Sequence, residues 1–348
     1  MGPRTTWRPR HLLAWRGREL VAAMPLYERH DSFGEYIFDF AIAHAAMRSG
    51  LDYYPKLTSA VPFTPIPGRR LLTLPGESQP ELALRFGERL RALPDELGVS
   101  SVHVLFLSPD ERDGLARAGL TPRLWNQFQW HRRPEWRSFD DFLAAMRAPS
   151  RKQVRRERAI ARSHGLDLVM KDGPELTDAD WTALEHFYRR TASEKGGRAF
   201  LRPAFFTWLR ERAPGRVAGA LAYDQGEPVA SAFFLHRGPN LYGRYWGARD
   251  VHDCLHFELC YYLPIEWALE RGFTRFEGGA QGEHKLKRGL MPAACHSSHF
   301  IADEALRAAV DDYLARERAA VLQEIELLAA HGPFHRADGS PPAAPDPV

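Results

Sequence analysis

The chain has 348 residues, of which 44% are hydrophobic and 26% are charged, and its formal net charge is only +3. This composition is that of an ordinary globular protein of about two domains, and it excludes a chain dominated by disorder. Such a small net charge provides no overall field that would favour DNA as a partner, so we expect no DNA binding. Local clusters of charge therefore matter more than the total.

The cysteines and the apolar runs limit where the protein can work. Cys254, Cys260 and Cys295 form no CxxC pair, which favours a reducing compartment over a disulfide framework. We therefore expect a cytoplasmic protein. No apolar run approaches the ~20 residues that span a bilayer, and the N-terminus MGPRTTWRPRH lacks the apolar region of a signal peptide. If the chain contacts a membrane, it does so from the surface.

Two parts of the chain resemble each other, which indicates an internal duplication. Residues 17–27 and 225–235 each read as a turn and a strand of small residues, followed by aromatic strands at Gly34–Phe38 and Leu241–Trp246. Both halves continue with a helix and a short strand. These later pairs are Glu81–Leu97 with Ser101–Leu107, and Phe257–Glu270 with Phe273–Phe276. The period is far too long for a solenoid, so we predict two similar α/β domains in tandem.

The join between the domains is predicted near residues 132–138, where a strand ending in Trp130 gives way to HRRPEW and a new helix. We therefore predict a first domain over residues 1–135, short at its N-terminus, and a second over residues 136–335. An apolar helical stripe between Glu304 and Ala330 should pack on the second domain. Residues 336–348 are rich in proline and polar, and we expect them to be disordered.

A long loop in the first half combines proline with aromatic residues. It runs from Leu51 to Gly68 and reads as neither helix nor regular strand. Two interpretations stay open, a packing loop between domains or the lining of a substrate groove. The later strand Trp125–Trp130 alternates polar and aromatic residues, so Gln127 and Gln129 share one face and would reach the same groove.

A basic segment opens the second half. Residues 147–162 contain seven cations and a single anion, Glu157. Four arginines at positions 151, 155, 158 and 162 have the spacing of one helix face. Stacked like charges repel by a few tenths of a kcal/mol per pair, which favours an anionic partner such as phosphate. A solvated charged face is the alternative.

The segment from Phe257 to Lys287 is the densest in functional signals. A helical apolar pattern ends at Gly272, which predicts a C-terminal stop, and a short strand follows. After this strand come Glu277, several glycines, and the ionisable residues of QGEHKLK. Ligands usually bind at the carboxyl ends of strands in α/β proteins, so this polar turn is the predicted site.

Other site types find less support in the chain. His252, His256 and Cys260 have helical spacing, but Asp253 reads as the helix N-cap, which leaves His252 outside, and no fourth ligand is evident. We therefore expect no metal, with a histidine-based metal enzyme as an alternative. The motifs GxSxG, GxxxxGK[ST], HExxH and GxGxxG do not occur, which disfavours hydrolases, P-loop NTPases, zincins and Rossmann dehydrogenases.

The duplication, the basic helix and the polar turn resemble the FemAB-like branch of the GNAT N-acyltransferases, which carry two GNAT domains in tandem. The residues that carry the resemblance are Ser150–Arg158, Ile265–Ala268, Gly272–Gly279 and Lys285. The runs GEYIFDF, LDYYPK, VPFTP and GGAQGEHK are similar to a bacterial subfamily of N-acyltransferases related to peptidoglycan biosynthesis. The resemblance covers nearly the whole chain. It implies an α/β (α+β) fold of tandem GNAT-like domains, each a mixed, mostly antiparallel sheet flanked by helices.

The resemblance also implies a reaction, the transfer of an acyl or aminoacyl group to a small-molecule or peptide amine. The R/Q-x-x-G-x-G/A turn that holds the CoA pyrophosphate in GNAT enzymes has no match between strand and helix. The nearest match, Arg244–Ala248, lies within or just after a strand. Acyl-CoA and aminoacyl-tRNA therefore both stay open as donor co-substrates, and we expect no tightly bound cofactor. A non-catalytic GNAT pair that binds a cell-wall precursor or RNA is the alternative function.

The candidate site residues divide by role. We assign proton transfer to Glu283 or His284, and the charge that stabilises an oxyanion or phosphate to Lys285 or Lys287, with the choice between the lysines open. Candidates for acceptor binding are Glu35, Asp39, Tyr54, Lys56, Gln127 and Gln281. Candidates for binding a phosphorylated donor are Arg151, Lys152, Arg155, Arg156 and Arg244.

Overall fold

The computed structural model of the protein describes residues 6–194, 197, 199–279 and 282–335. The predicted tail 336–348 and Gln281 lie outside the described residues. The chain begins with an alternation of strands and helices. In order, these elements are β1 (Trp7–Pro9), β2 (Leu12–Arg16), β3 (Glu19–Met24), β4 (Tyr27–Arg29), α1 (Phe40–Arg48), β5 (Lys56–Ser59), β6 (Leu72–Thr73), α2 (Gln79–Leu97), β7 (Ser101–Leu107), α3 (Pro109–Arg117) and β8 (Thr121–His131).

The rest of the chain adds longer strands and helices. They are α4 (Phe139–Ala144), α5 (Ala148–Arg162), β9 (Asp167–Asp172), α6 (Asp178–Glu194), α7 (Pro203–Arg212), β10 (Val217–Asp224), β11 (Glu227–Arg237), β12 (Asn240–Ala248), α8 (Leu255–Phe257), α9 (Leu263–Arg271), β13 (Arg275–Glu277), β14 (Met291–Ile301) and α10 (Glu304–Ala330). A π-turn at Glu258–Tyr262 joins α8 to α9, and short 3₁₀ helices lie at Gly173–Glu175, Pro214–Arg216 and Glu283–Arg288.

The described residues form two compact units. The first contains the chain up to Gln127 together with Ala293–Leu327, and the second contains Phe128–Pro292 and the segment from Leu328. The mixed α/β class predicted from the sequence is confirmed, because each unit carries a mixed sheet with helices packed on it.

In the first unit, the strand order is β1-β4-β5-β7-β14, and a separate three-stranded sheet has the order β2-β3-β6. β5 and β7 are parallel, whereas the other pairs are antiparallel. Leu57, Val102 and Val104 pack with Phe86 and Leu90 of α2 in an apolar core. Because strand side chains alternate between faces, the neighbouring positions 56, 58 and 103 lie on the opposite face.

In the second unit, the strand order is β8-β13-β12-β11-β10-β9, and only β12 and β13 among these described neighbours run parallel. Alternate residues of β10 belong to two apolar clusters. Ala220 packs in the cluster that contains α9, whereas Leu221 packs in the cluster that contains α6 and α7. Helices therefore cover both faces of this sheet, as expected for a mixed α/β layer.

The internal duplication is visible as a repeated strand–helix–strand unit. In the first unit, α2 connects β5 to the parallel strand β7; in the second, α9 precedes β13, which is parallel to β12. A helical crossover is the usual connection between parallel strands. The predicted helix and strand pairs around residues 81–107 and 257–276 are thus confirmed, with small shifts at their ends.

One predicted strand is wrong. The segment Gly34–Phe38 forms turns and irregular structure instead of a strand. Gly34 has φ +84° and Tyr36 has φ +62°, and such angles interrupt an extended chain. The irregular backbone carries the side chain of Glu35 into contact with Lys56 and Thr58.

The C-terminal helix also differs from the sequence expectation. Leu306, Val310 and Leu314 of α10 pack with Ile42 and Tyr53 of the first unit. The helix follows β14, whose last residues also belong to that unit. Of the predicted stripe, Val310, Leu314 and Val321 are buried, whereas Leu322 is 48% exposed. Val310 and Leu314 pack in the first unit, and Leu328 packs against the cluster of the second unit that contains α9.

Candidate active site

The candidate site begins where α9 ends. Gly272 adopts the left-handed conformation with φ +77° and stops the helix, as its sequence position predicts. β13 then pairs with β12 only over Asn240–Tyr242, while β12 continues to Ala248. The pairing therefore covers all of β13 but only the beginning of β12, and the turn after Glu277 lies where this pairing ends.

The backbone of this turn lies very close to the side chains of Leu290, Tyr261 and Lys285. A Cβ atom on Gly278 would lie 2.8 Å from Leu290 Cδ2, 3.3 Å from Tyr261 Cε1 and 3.6 Å from Lys285 Cδ. Glycine at this position lets the backbone lie against the side chain of Lys285.

Lys285 is one of two buried cations of the turn, the other being Arg288. The side chain of Lys285 is 2% exposed, and Nζ donates a hydrogen bond to the carbonyl oxygen of Gly279 at 2.6 Å. Burial lowers the pKa of Lys285 to about 8, and among the described residues no carboxylate charge opposes this shift. The site thus holds an amine whose protonation can change near neutral pH.

His284 lies beside Lys285 and faces aromatic residues. Its Nε2 lies 3.0 Å from the hydroxyl oxygen of Tyr261, within hydrogen-bond distance. Partial burial and the charges of Arg288 and Lys285 lower the pKa of His284. The neutral imidazole is therefore favoured, and it can accept a proton.

The other candidate residues of this turn differ from Lys285 in their exposure to solvent. Glu283 and Lys287 are exposed, whereas Lys285 is buried. The short 3₁₀ helix Glu283–Arg288 explains the difference, because residues two apart along it point in different directions. Of the two lysines that the sequence left open, Lys285 is the buried one, and its hydrogen bond to Gly279 fixes its position.

An ion pair joins the turn to helix α5. Arg288 donates to Glu157 from Nε at 3.1 Å and from Nη2 at 2.8 Å, and its guanidinium lies 3.4 Å from the ring centre of Phe257. Glu157 also accepts hydrogen bonds from Gln153 and Tyr262. This buried network fixes the turn that carries Lys285.

The basic face of α5 is partly neutralised. Arg158 donates three hydrogen bonds to Glu258, two from Nε and one from Nη2, and one to Glu266 at 2.5 Å. Arg162 lies within 3.9 Å of both carboxylates. The interpretation of all four arginines as a phosphate-binding row is therefore wrong for these two, because acidic residues of the adjoining helical segment already pair with them.

The donor-binding candidates occupy different environments. Lys152, Arg155 and Arg156 are exposed on α5. Arg151 is half-buried and donates to the carbonyl of Met146 at 3.3 Å. Arg244 is on β12, where its guanidinium lies 5.2 Å from the ring centre of Tyr245. The structure brings three of these residues together on one exposed stretch of helix, and Arg244 belongs to the strand-end region instead.

Sequence reasoning missed a second buried ionisable group in this unit. Glu277 is 4% exposed, and its Oε1 lies 2.8 Å from Arg275 Nη2. Burial raises the pKa of Glu277 to about 7, although the charges of Arg275 and Arg244 oppose the shift. Its place at the end of a strand before two glycines is the signal in the sequence that marks it.

The acceptor candidates of the first unit form a closed cluster. Lys56 is fully buried, and Glu35 and Asp39 are 2% and 3% exposed. Lys56 Nζ donates to Glu35 Oε2 at 2.8 Å, to Asp39 and to Ser32. Arg29 is also fully buried, and its Nε lies 3.4 Å from Glu35 Oε1, so two buried cations face the two carboxylates within the unit.

The remaining first-unit candidates lie at the edge of this cluster or away from it. The hydroxyl of half-buried Tyr54 is 2.8 Å from Ser32 Oγ, so it reaches Lys56 through that serine. Gln127 is 7% exposed and donates from Nε2 to the carbonyl of Pro65 at 3.1 Å. The structure does not connect Gln127 to the charged cluster.

A pair of buried histidines extends the cluster and was not found from the sequence. Tyr53 donates to Asp39 at 2.6 Å, and its hydroxyl lies 3.1 Å from His103 Nε2. His103 Nδ1 and His299 Nδ1 are 2.7 Å apart. Burial lowers the pKa of His103 to about 3, with the charge of Lys56 acting in the same direction. Because positions 103 and 299 meet only through strand pairing, no local pattern reveals them.

No group of three or more His, Cys, Asp or Glu side chains in the described ranges could hold a metal ion. No described helix is long and apolar enough to cross a membrane.

Several solved structures are similar to the chain at low sequence identity, and the first two below, with TM-scores above 0.5, support the fold. One similar structure is the C-terminal DUF2156 domain of an Agrobacterium fabrum protein that is named as a lysylphosphatidylglycerol synthetase. It is 12% identical with a TM-score of 0.56, covering 90% of this chain and 88% of that one. L-PGS from Bacillus licheniformis gives 12% identity and a TM-score of 0.53, covering 89% of each chain. A crystal structure of FemX matches at 11% identity and a TM-score of 0.48, covering 88% of this chain and 90% of that one.

A family match completes the identification. No curated protein sequence matches the chain. The family model named FemAB-like, described as peptidoglycan biosynthesis/recognition, matches residues 1–336. The resemblance to the FemAB-like family and the mixed α/β fold class, both inferred from the sequence, are confirmed. The chain belongs to the FemAB-like family.

Proposed function

We propose that the protein is an N-acyltransferase that moves an acyl or aminoacyl group from acyl-CoA or aminoacyl-tRNA to an amine acceptor. The observation that carries this proposal is Lys285, a buried amine with a pKa of about 8 on a turn after a strand end. Perturbed pKa values are typical of groups that take part in proton transfer or charge stabilisation.

The reaction requires above all that the negative charge on the carbonyl oxygen of the donor be stabilised. When the amine attacks the donor carbonyl, a C–N bond forms and the carbonyl oxygen becomes negatively charged. Lys285 is mostly protonated at neutral pH, so it can donate a hydrogen bond to that oxygen. As the intermediate collapses, the C–S or C–O bond to the leaving group breaks. Lys285, with His284 beside it, can supply the proton that the leaving group takes.

The exposed cations of α5 suit a phosphorylated donor. Lys152, Arg155 and Arg156 are exposed, and α5 is joined to the turn through Glu157 and Arg288. CoA and tRNA both carry phosphates, so charge alone does not choose between them. Both donors occur in the cytoplasm, which is where we place the reaction.

The proposal is tested with the full chain and labelled donors. Acyl-CoA and charged tRNA are each incubated with a peptide amine and with a UDP-linked muropeptide, and transfer of label is measured for wild type, Lys285→Ala and Lys287→Ala. We expect transfer by the wild type, an about 100- to 1,000-fold lower kcat for Lys285→Ala, and near-normal turnover for Lys287→Ala.

Two results would count against the proposal. Thermal stabilisation by a donor or muropeptide without any transfer of label would identify a binding module instead of an enzyme. Transfer that is equally fast in Lys285→Ala would remove Lys285 from the chemistry.

A further inference from the structure

The small sheet of the first unit has an open edge at β2. Its strand order is β2-β3-β6, and β2 pairs with β3 alone among the described strands. No other backbone hydrogen bond to residues 12–16 occurs in the described ranges of the chain. The bulge in this pair leaves Val21 as the extra residue on β3, so β2 itself is continuous over its five residues. The outer edge of β2 can therefore pair with a further strand.

This edge lacks the residues that normally protect an edge strand from pairing. Native edges carry lysine or proline, or a neighbouring segment covers them. The strand LLAWR has neither residue, and its only charge is Arg16 at its end. Leu13 and Trp15 are 52% and 58% exposed. In an antiparallel pair with a second β2 centred on Ala14, each Leu13 lies opposite Trp15 of the other copy, on the same face of the sheet.

A groove with a volume of about 480 Å³ follows the same edge. All five residues of β2 line one wall of the groove, and residues 77–89, at the start of α2, supply the other wall. The second wall carries four charged residues at intervals of four, namely Glu77, Glu81, Arg85 and Arg89. The last three share one face of α2, and Glu77 lies just before the helix. We call these four residues the groove charges.

The order of the groove charges is self-complementary. From Glu77 to Arg89 the signs are minus, minus, plus, plus. A two-fold axis perpendicular to this row places the same row of a second copy antiparallel, so its signs run in the reverse order. Glu81 of each copy then faces Arg85 of the other, and Glu77 faces Arg89. A partner with a strong net charge of either sign would instead meet two like charges in this wall.

The ion pairs within the chain leave the groove charges available to a partner. These pairs are Arg16–Glu77, Glu81–Arg85 and Arg89–Glu96. The arginine side chains of all three pairs are between 48% and 70% exposed. Exposed ion pairs contribute little to stability, so Arg85 and Arg89 can turn to a second copy at little cost.

We propose that β2 and α2 form a two-fold interface at which a second copy of this chain binds. The two β2 strands pair antiparallel and join the two small sheets, while the groove charges of the two copies pair with one another. Because β2 and the groove charges line one groove, a single two-fold axis satisfies both contacts, whereas an unrelated strand would satisfy the first alone. All residues of the interface belong to the first unit, and the inference does not depend on the proposed function.

The test measures the mass of the full chain by sedimentation over a range of concentrations. We expect the wild type to form a dimer, with twice the 39.6 kDa of the chain. Arg85→Glu and Glu81→Arg each place like charges opposite one another at two symmetry-related contacts, and each should raise the dimer Kd by about 10- to 100-fold. The double variant, Glu81→Arg with Arg85→Glu, restores opposite charges and should dimerise like the wild type. Glu88→Arg, an exposed change on α2 outside the groove lining, is the matched control and should keep the wild-type Kd.

A variant in the strand tests the other contact. Trp15→Lys places a charge on the open edge, so it should raise the dimer Kd while the melting temperature of the chain stays unchanged, because Trp15 is exposed.

Three results would overturn the proposal. The first is a wild type that stays monomeric up to about 200 µM; its sedimentation with phosphatidylglycerol vesicles would then assign the exposed edge to a lipid surface. The second is a dimer whose Kd is the same in Arg85→Glu and Trp15→Lys as in the wild type, since the copies then meet elsewhere. The third is a folded double variant that dimerises as weakly as the single variants, because antiparallel pairing of the groove charges requires its recovery.

Discussion

Each unit of the protein buries a lysine, and the two lysines differ in their partners. Lys56 is fully buried and uses all three ammonium hydrogens, on Ser32, Glu35 and Asp39. Lys285 is 2% exposed and donates only to a carbonyl oxygen among the described residues. Burial alone would lower the pKa of both side chains. In Lys56 the charges of Glu35 and Asp39 outweigh burial and raise the pKa, whereas nothing outweighs it in Lys285.

The partner of a buried lysine therefore determines whether its amine is held in the charged form or can exchange a proton. A lysine held by two carboxylates is fixed in its charged form and contributes to the structure of its unit. A lysine held by a neutral carbonyl keeps a pKa near physiological pH and can exchange protons. We therefore assign structure to the cluster around Lys56 and chemistry to the turn around Lys285.

The largest effect should come from removing the amine of Lys285. Lys285→Met keeps the volume of the side chain and should lower kcat by about 100-fold or more, because the developing oxyanion loses its donor. The melting temperature should not fall, since the charged amine is disfavoured in its buried site. Steady-state transfer and thermal unfolding measure the two quantities. A variant that unfolds while the folded fraction keeps full activity would reverse our assignment of the two lysines.

Removing the other lysine should act on stability. Lys56→Met leaves Asp39 buried without a cation and leaves Glu35 with only Arg29, whose Nε is 3.4 Å away, which should lower the free energy of unfolding by about 3 to 5 kcal/mol. Denaturant unfolding measures this change. The triple variant Lys56→Met, Glu35→Gln, Asp39→Asn should recover much of the loss, because it leaves no unpaired charge. If Lys56→Met is as stable as wild type, the cluster does not have the structural role that we give it.

The buried histidines should make the stability of the first unit depend on pH. The pKa of His103 is about 3 in the folded protein and near 6.5 in an unfolded chain, so the unfolded state binds the proton first as pH falls. The contribution is therefore complete above about pH 6.5 and is lost progressively towards pH 3. Asp39 adds to acid sensitivity only below about pH 4, because that is where an unfolded aspartate titrates.

A neutral substitution isolates this dependence. His103→Gln should flatten the decline in unfolding free energy between about pH 6.5 and 4, as measured by denaturant titrations at each pH. His335→Gln, a change at an exposed histidine, serves as the control and should keep the wild-type slope. Equal slopes in His103→Gln and wild type would show that the pair is not protonated on unfolding in this window.

The smallest effect should come from the exposed cations of α5. Arg155→Ala with Arg156→Ala should weaken donor binding several-fold and reduce its salt dependence, with kcat unchanged at saturation. Arg162→Ala, on the same helix but beside Glu258 and Glu266, should change binding little. Binding isotherms at several salt concentrations distinguish these outcomes, and equal affinities in both variants would move the donor away from this helix.

Local sequence patterns correctly predicted the helices and strands whose formation depends on residues close together in the chain. The apolar spacing of α9, the left-handed glycine at 272 and the strand after it all follow from helix periodicity and helix termination. The strand predicted at Gly34–Phe38 does not form. Its aromatic residues suggested a strand, but positive φ angles and the burial of Glu35 require an irregular backbone.

The parts of the site that depend on distant partners were not predictable. The four arginines of α5 were placed on one helix face, but Glu258 and Glu266, which neutralise two of them, lie about a hundred residues later. The choice between Lys285 and Lys287 depends on the direction of one short 3₁₀ helix. Glu277 stood in the right place in the sequence, yet only its burial distinguishes it from the other acidic residues of the turn.

The pair Glu157–Arg288 also limits how this protein can evolve. Each residue is buried, and each would be an unpaired charge if the other were replaced. A relative that lacks the glutamate on α5 should therefore also lack the arginine at the end of the turn. We therefore expect substitutions at Glu157 of the basic helix and at Arg288 of the turn that carries Lys285 to occur together in relatives.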